Sequence, residues 1–215
     1  MQLYFSPLAC SMASKIVAEE AGAALEAIEI DPQAKTVLAT GEDYYAINPL
    51  GLVPALRTPE GIFLTENAAV LPFIADEFPE AGLAPPPSDR VGRAKLQQWL
   101  SFIGTELHKA VFIALLDRKA SQDAKDYALK KAPERFAYLD AHLAGRAFLL
   151  DSFSVADAYL ATVLNWTQAV PQLDLSAYAN MQDYLARMRM RPSIAKVLGI
   201  EVPLFQAEMA RRKAA

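Results

Sequence analysis

The sequence predicts a small α/β domain followed by an all-helical one. Three observations carry that prediction. Residues 1–81 alternate between strand and helix signals, the prolines of "PEAGLAPPPSDR" interrupt the pattern, and nearly everything beyond repeats apolar residues at helical spacing. At 215 residues, with 53% hydrophobic and 21% charged side chains, the chain has an ordinary globular composition and enough length to bury a full core.

The elements follow in order. Gln2 to Phe5 reads as a short strand, and Cys10 to Ala21 carries Ile16, Val17 and Ala21 at helical spacing before Gly22 stops it. "ALEAIEI" alternates as a half-buried strand does. "VPALRTP" and "GIFLTE" flank Pro59-Glu60-Gly61 as a hairpin, and "NAAVLPFIADEF" returns to helical spacing. The order is β-α-β, an ill-defined middle, then β-β-α, which suggests a sandwich of thioredoxin type. Three consecutive prolines cannot sit inside a helix, so a linker separates domain 1–81 from domain 88–215. Helices are expected over 90–117, 122–143, 154–168, 176–190 and 193–198. Ser154 and Asp157 stand at capping-box spacing, which marks a helix start and no catalytic role.

Charge and composition exclude several functions. A net charge of −4 argues against binding nucleic acid or an anionic membrane, and the basic run Arg211-Arg212-Lys213 reads as a solvated helix end. One cysteine rules out an intrachain disulfide, and with two histidines no metal site is expected. No leader-like pattern and no run of about 18 uninterrupted apolar residues is present, so the expected location is cytoplasmic.

Cys10 has two readings. At a helix N-terminus, unpaired amides and the helix dipole favour a reactive thiolate; otherwise it is a small buried hydrophobe. Residue 13 is alanine, so no C-x-x-C pair exists, and Ser11 is the nearby hydroxyl that would help activate a bound thiol. Pro54 opens a strand where its missing amide costs no ladder bond, and a cis Val53–Pro54 bond would leave backbone groups open to an extended peptide. Glu66 and Asn67, before a helix, suit an ammonium and a carboxylate, or simple capping. In "KLQQWLSFIGTELHKAVF" the residues Leu96, Trp99, Leu100, Ile103 and Leu107 form one face. Ser101, Thr105, His108 and Phe112 form the other, either solvated or the wall of a cleft.

Together "LYFSPLACS", "GEDYYAINPLGLVPAL", "LTENAAV", "WLSFIGTELHKA" and "FSVADAYLATVLNW" resemble the bacterial glutathione S-transferases, most closely the beta class, over almost the whole chain. The resemblance implies the glutathione S-transferase fold, glutathione as co-substrate without a metal, a homodimer, and a small hydrophobic electrophile as second substrate. It implies that Cys10 lies beside the glutathione sulfur, where it can form a mixed disulfide, and that Val53, ahead of cis Pro54, pairs with the cysteinyl backbone. Glu66 and Asn67 would take the γ-glutamyl end and Lys35 the glycine carboxylate. Ser101, Thr105 and His108, with Lys109 next to them, match the helix that reaches the thiol. Phe112 and Trp166 would wall the co-substrate pocket, though Trp166 reads equally as core. Asn67, Ser101 and Leu50 depart from the usual residues, and Leu50 removes a positive charge at the rim. Two rival readings keep the scaffold: a glutaredoxin-like thioltransferase or dehydroascorbate reductase with Cys10 as nucleophile, and a non-catalytic ligand-binding protein.

Overall fold

The β-hairpin read from "VPALRTPEGIFLTE" is the edge of a five-stranded sheet. The structure, a computed structural model, describes residues 1–214. Contacts divide the chain into two units, Met1–Leu83 with Pro192–Ala215, and Ala84–Arg191.

In the first unit the strands are β1 (Gln2–Phe5), β2 (Glu26–Asp31), β3 (Thr36–Val37), β4 (Ala55–Arg57) and β5 (Phe63–Thr65), in sheet order β3-β2-β1-β4-β5. Only β1 and β2 run parallel, joined by the helix α1 (Met12–Glu20); the other pairs are antiparallel. β3 has two residues, too few for any alternation to show in the sequence. Tyr4, Ile30, Val37, Tyr44 and Ala55 form a buried cluster on the sheet. The helix α2 (Asn67–Glu77) begins directly after β5 and buries Val70, Leu71, Ile74 and Ala75.

The second unit is helical. It comprises α3 (Arg90–Phe102), a π-helical run Ile103–Ile113, α4 (Ala114–Leu116), α5 (Gln122–Leu143), α6 (Val155–Asn165) and α7 (Ala179–Met190). Asp89 and Ser121 cap α3 and α5 by accepting from the amides of Gly92 and Ala124. The Ser154–Asp157 capping box forms as read, at the start of a helix whose every residue is buried. The helical span Arg90–Leu116 has the length and mean hydropathy, 1.3 over an 18-residue window, of a membrane-crossing helix. Here its apolar side chains, Leu96, Trp99, Leu100, Ile103 and Leu107, are core, and Glu106 on the same span pairs with Arg135.

Two expectations need correction. The last helix does not stop near residue 198: α8 runs Pro192–Ala214, through Gly199 and Pro203. It also belongs to the first unit and not to a second domain running to residue 215. The reason is tertiary: α8 meets α1 through Ser193–Glu20, Lys196–Glu19 and Lys15–Glu201. Packing of this kind overrides the helix-breaking propensity of Gly and Pro. The basic end is correspondingly engaged, Arg211 with Glu29 and Arg212 with Glu208.

Candidate active site

Cys10 lies in the turn between β1 and α1, one residue ahead of the Ser11 position that opens the helix. Its side chain is half-buried, and its Sγ–H donates to the carbonyl of Val53 at 3.0 Å. The Asn67 amide, at the first turn of α2, donates through Nδ2 to the Cys10 carbonyl at 3.0 Å. Three segments far apart in sequence therefore converge on Cys10.

The Val53 segment is held from below. Tyr44 Oη and Asn48 Nδ2 both donate to the Leu52 carbonyl at 2.8 Å, and the Gly51 amide donates to the Asn48 carbonyl at 2.7 Å. Burial pushes the Tyr44 phenol up to about 12, so it stays a proton donor at any ordinary pH. Lys35 Nζ donates to the Gly51 carbonyl at 2.8 Å, and burial lowers its pKa against the opposing pull of Asp31. The Val53–Pro54 bond is cis. Tyr44 and Asn48 escaped the sequence reading; "YYAINP" signals a turn but not what it supports.

Gly51 is required at its position. Its φ is +60°, and a Cβ there would stand 2.7 Å from Tyr45 Cε1 and 3.3 Å from Lys35 Cδ. Gly51→Ala is expected to cost about 1–2 kcal/mol in urea denaturation, mostly from the left-handed backbone, since the half-exposed Tyr45 ring can swing aside.

Ser11 is turned inward. Its side chain is fully buried, donating to the Ser6 carbonyl and accepting from the Ser6 amide, both at 3.3 Å. It fastens the turn instead of activating a thiol. Asn67 is likewise partly committed. With Nδ2 on Cys10, its buried Oδ1 has no hydrogen-bond partner among the described residues. The free atom is an acceptor, suited to an ammonium more than to a carboxylate. Glu66, exposed at φ +68°, stands beside it.

In the second unit the expected polar face divides. Ser101, Thr105 and Lys109 are exposed, and Thr105 Oγ1 donates back to the Ser101 carbonyl at 2.9 Å. His108 and Phe112 are buried at 6% and 0% exposure. The cause is the π-helical winding of Ile103–Ile113: i→i+5 bonding adds a residue to each turn and carries later side chains off the face that 3.6-residue spacing assigns. His108 Nδ1 shares a 2.7 Å hydrogen bond with Tyr159 Oη, and its ring meets Trp166 edge-on with centroids 4.9 Å apart. Burial first, then the Lys109 charge, lower its pKa to about 4, so the ring is neutral at pH 7. Phe112 packs edge-on to Trp166 at 5.6 Å; fully enclosed, it sets the position of Trp166 and does not itself face a pocket. Among the described residues no three His, Cys, Asp or Glu side chains gather as metal ligands.

A turn-borne thiol on a thioredoxin-like sheet, followed by a helical unit, defines a class of proteins. A family model described as "Glutathione S-transferase, C-terminal domain" matches residues 102–192. The curated relative glutathione S-transferase GstA of Escherichia coli O157:H7 is 35% identical over 202 residues, 94% of this chain and 98% of that one. A solved sphingomonad glutathione S-transferase, complexed with glutathione, matches with a TM-score of 0.88 at 40% identity, covering 94% of this chain and 98% of its own. The beta class glutathione S-transferase of Sphingomonas chungbukensis gives the same TM-score, 0.88, and the same identity, 40%, over 94% and 98%. The chain belongs to the glutathione S-transferase family and is a glutathione-dependent transferase.

Proposed function

We propose that glutathione lies along the Val53 segment and the start of α2, with its sulfur beside Cys10. The observation that carries this reading is the convergence of Cys10 on Val53 and Asn67, through the 3.0 Å Sγ–carbonyl and 3.0 Å amide–carbonyl bonds. The Val53 backbone pairs with the cysteinyl residue of the tripeptide. Glu66, with the free Oδ1 of Asn67, takes the α-ammonium, and the opening amides of α2 take the neighbouring carboxylate. Lys35 offers its cation to the glycine carboxylate. Leu50, 66% exposed, adds no charge at this rim.

The chemistry has two modes. In the first, the glutathione thiolate attacks an electrophilic carbon of a small hydrophobic co-substrate; the new S–C bond takes the sulfur lone pair and the leaving group departs with its own. In the second, the half-exposed Cys10, as thiolate, attacks a glutathione disulfide; a mixed disulfide forms and one thiolate leaves. Within the second unit His108, being neutral, offers a hydrogen bond and not a charge, Tyr159 holds its ring, and Trp166 packs edge-on against it. On the second unit Ser101, Thr105 and Lys109 are exposed. The resemblance to beta class enzymes supports a homodimer, and a thiol left half-exposed suits a reducing compartment such as the cytoplasm.

Cys10→Ala separates the modes. The variant is expected to stay on immobilised glutathione and to conjugate an aryl halide within about threefold of the parent rate, while disulfide reduction is lost. Loss of both activities with binding intact would make Cys10 the nucleophile throughout. Failure of the folded parent protein to bind glutathione would overturn the site.

A further inference from the structure

We infer that Glu201, on α8, is a positioning residue for Cys10, holding the β1–α1 turn in the shape that presents the thiol. The inference rests on the proposed role of Cys10, but its main test does not.

Glu201 is completely buried. Its carboxylate accepts the Leu8 amide at 2.6 Å and stands 3.1 Å from Lys15 Nζ. Lys15 in turn lies over the Phe5 ring, 3.9 Å from the centroid. One carboxylate thus reaches the turn itself through Leu8, the end of β1 through Phe5, and α1 through Lys15. The turn needs such an anchor. Leu8 has φ +56°, a left-handed conformation that is strained for an ordinary residue and persists where surrounding contacts fix it. Cys10 follows two residues later, after the Ala9 amide bonds the Ser6 carbonyl at 3.1 Å.

The arrangement is not explained by helix docking alone. Ser193–Glu20 and the exposed Lys196–Glu19 pair already join α8 to the body of α1, and neither touches the turn. Burying a carboxylate for docking is unfavourable beside an apolar contact of the same size, because desolvation offsets most of the ion-pair attraction. What a carboxylate does here that an apolar side chain cannot is accept the Leu8 amide.

The full-length protein tests this with two conservative variants. Glu201→Asp keeps the charge opposite Lys15 but withdraws the acceptor from Leu8 by one methylene. The double variant Lys15→Met, Glu201→Gln keeps an acceptor of the original length and removes both charges. Cys10 is the only cysteine, so its alkylation by iodoacetamide reports the turn without ambiguity. Glu201→Asp is expected to alkylate at least about threefold faster and to raise the KM for glutathione more than it lowers kcat. The double variant and Ser193→Ala, which loosens the same helix pair away from the turn, should stay within about twofold. An unchanged or slower rate in Glu201→Asp overturns the inference. So does acceleration in the double variant, whatever Glu201→Asp does, because that would make the charge pair rather than the amide contact responsible. Alkylation needs no glutathione, so its outcome stands even where the glutathione reading fails.

Discussion

Asp157→Ala should destabilise the second unit by about 3–5 kcal/mol, the largest loss expected from any single change discussed. The carboxylate is fully buried and accepts four hydrogen bonds: from the Leu149 amide at 2.9 Å, the Ser154 amide at 2.9 Å, Ser154 Oγ at 3.0 Å and Tyr184 Oη at 2.9 Å. Burial pushes its pKa up, while the bonds from Leu149, Tyr184 and Ser154 act against burial. Truncation leaves four donors without their acceptor inside a buried core. The injury spreads because α6 is buried at every residue and Tyr184 belongs to α7. Urea denaturation followed by circular dichroism measures it. A loss below about 1 kcal/mol would mean that the site relaxes and the donors find other partners.

Acidification should cost about 2.4 kcal/mol through His108 alone between pH 7 and pH 4.5. In the unfolded chain the imidazole takes its proton near the ordinary value of 6.5; in the folded protein it does so only at about 4. The unfolded state therefore binds the proton first. Stability carried by neutral His108 is complete above 6.5, declines as pH falls towards 4, and is gone below it. Asp157 and Glu201, whose pKa values burial raises, work in the opposite direction, so the parent protein shows only the net effect. Denaturation of His108→Gln at the same two pH values isolates the contribution. The variant should lose about 2.4 kcal/mol less than the parent on going from pH 7 to 4.5. Equal losses in both would show that the folded protein protonates His108 without penalty.

What the sequence disclosed was local. The β4–β5 hairpin, the start of α2 and the capping box at Ser154 are each written within a few residues, and each stands where those residues place it. Cys10, Val53 and Asn67 come together because strands and turns of the expected kind bring them. The failures are of two kinds. A helix wheel turned at 100° per residue contains no mark of π winding, so it groups His108 and Phe112 with Ser101 and Thr105, from which burial separates them. Nearness to Cys10 points Ser11 towards a bound thiol, whereas its hydroxyl turns inward to Ser6. The second kind concerns contacts across the chain. Glu201 and Leu8 lie 193 positions apart, and nothing near either names the other. Gly199 and Pro203 even spoke for a break where α8 continues, because its partner α1 is nearly as distant.

The return of α8 to the first unit bears on how the molecule is made. The turn that carries Cys10 is synthesised before the whole second unit, whereas Glu201, which accepts the Leu8 amide, follows 193 positions after Leu8. Throughout synthesis of the intervening residues, the sheet and α1 must wait with an apolar flank unfilled. The first unit is thus split in the sequence, and its contact between Leu8 and Glu201 forms only once the residues of the second unit between them have been made.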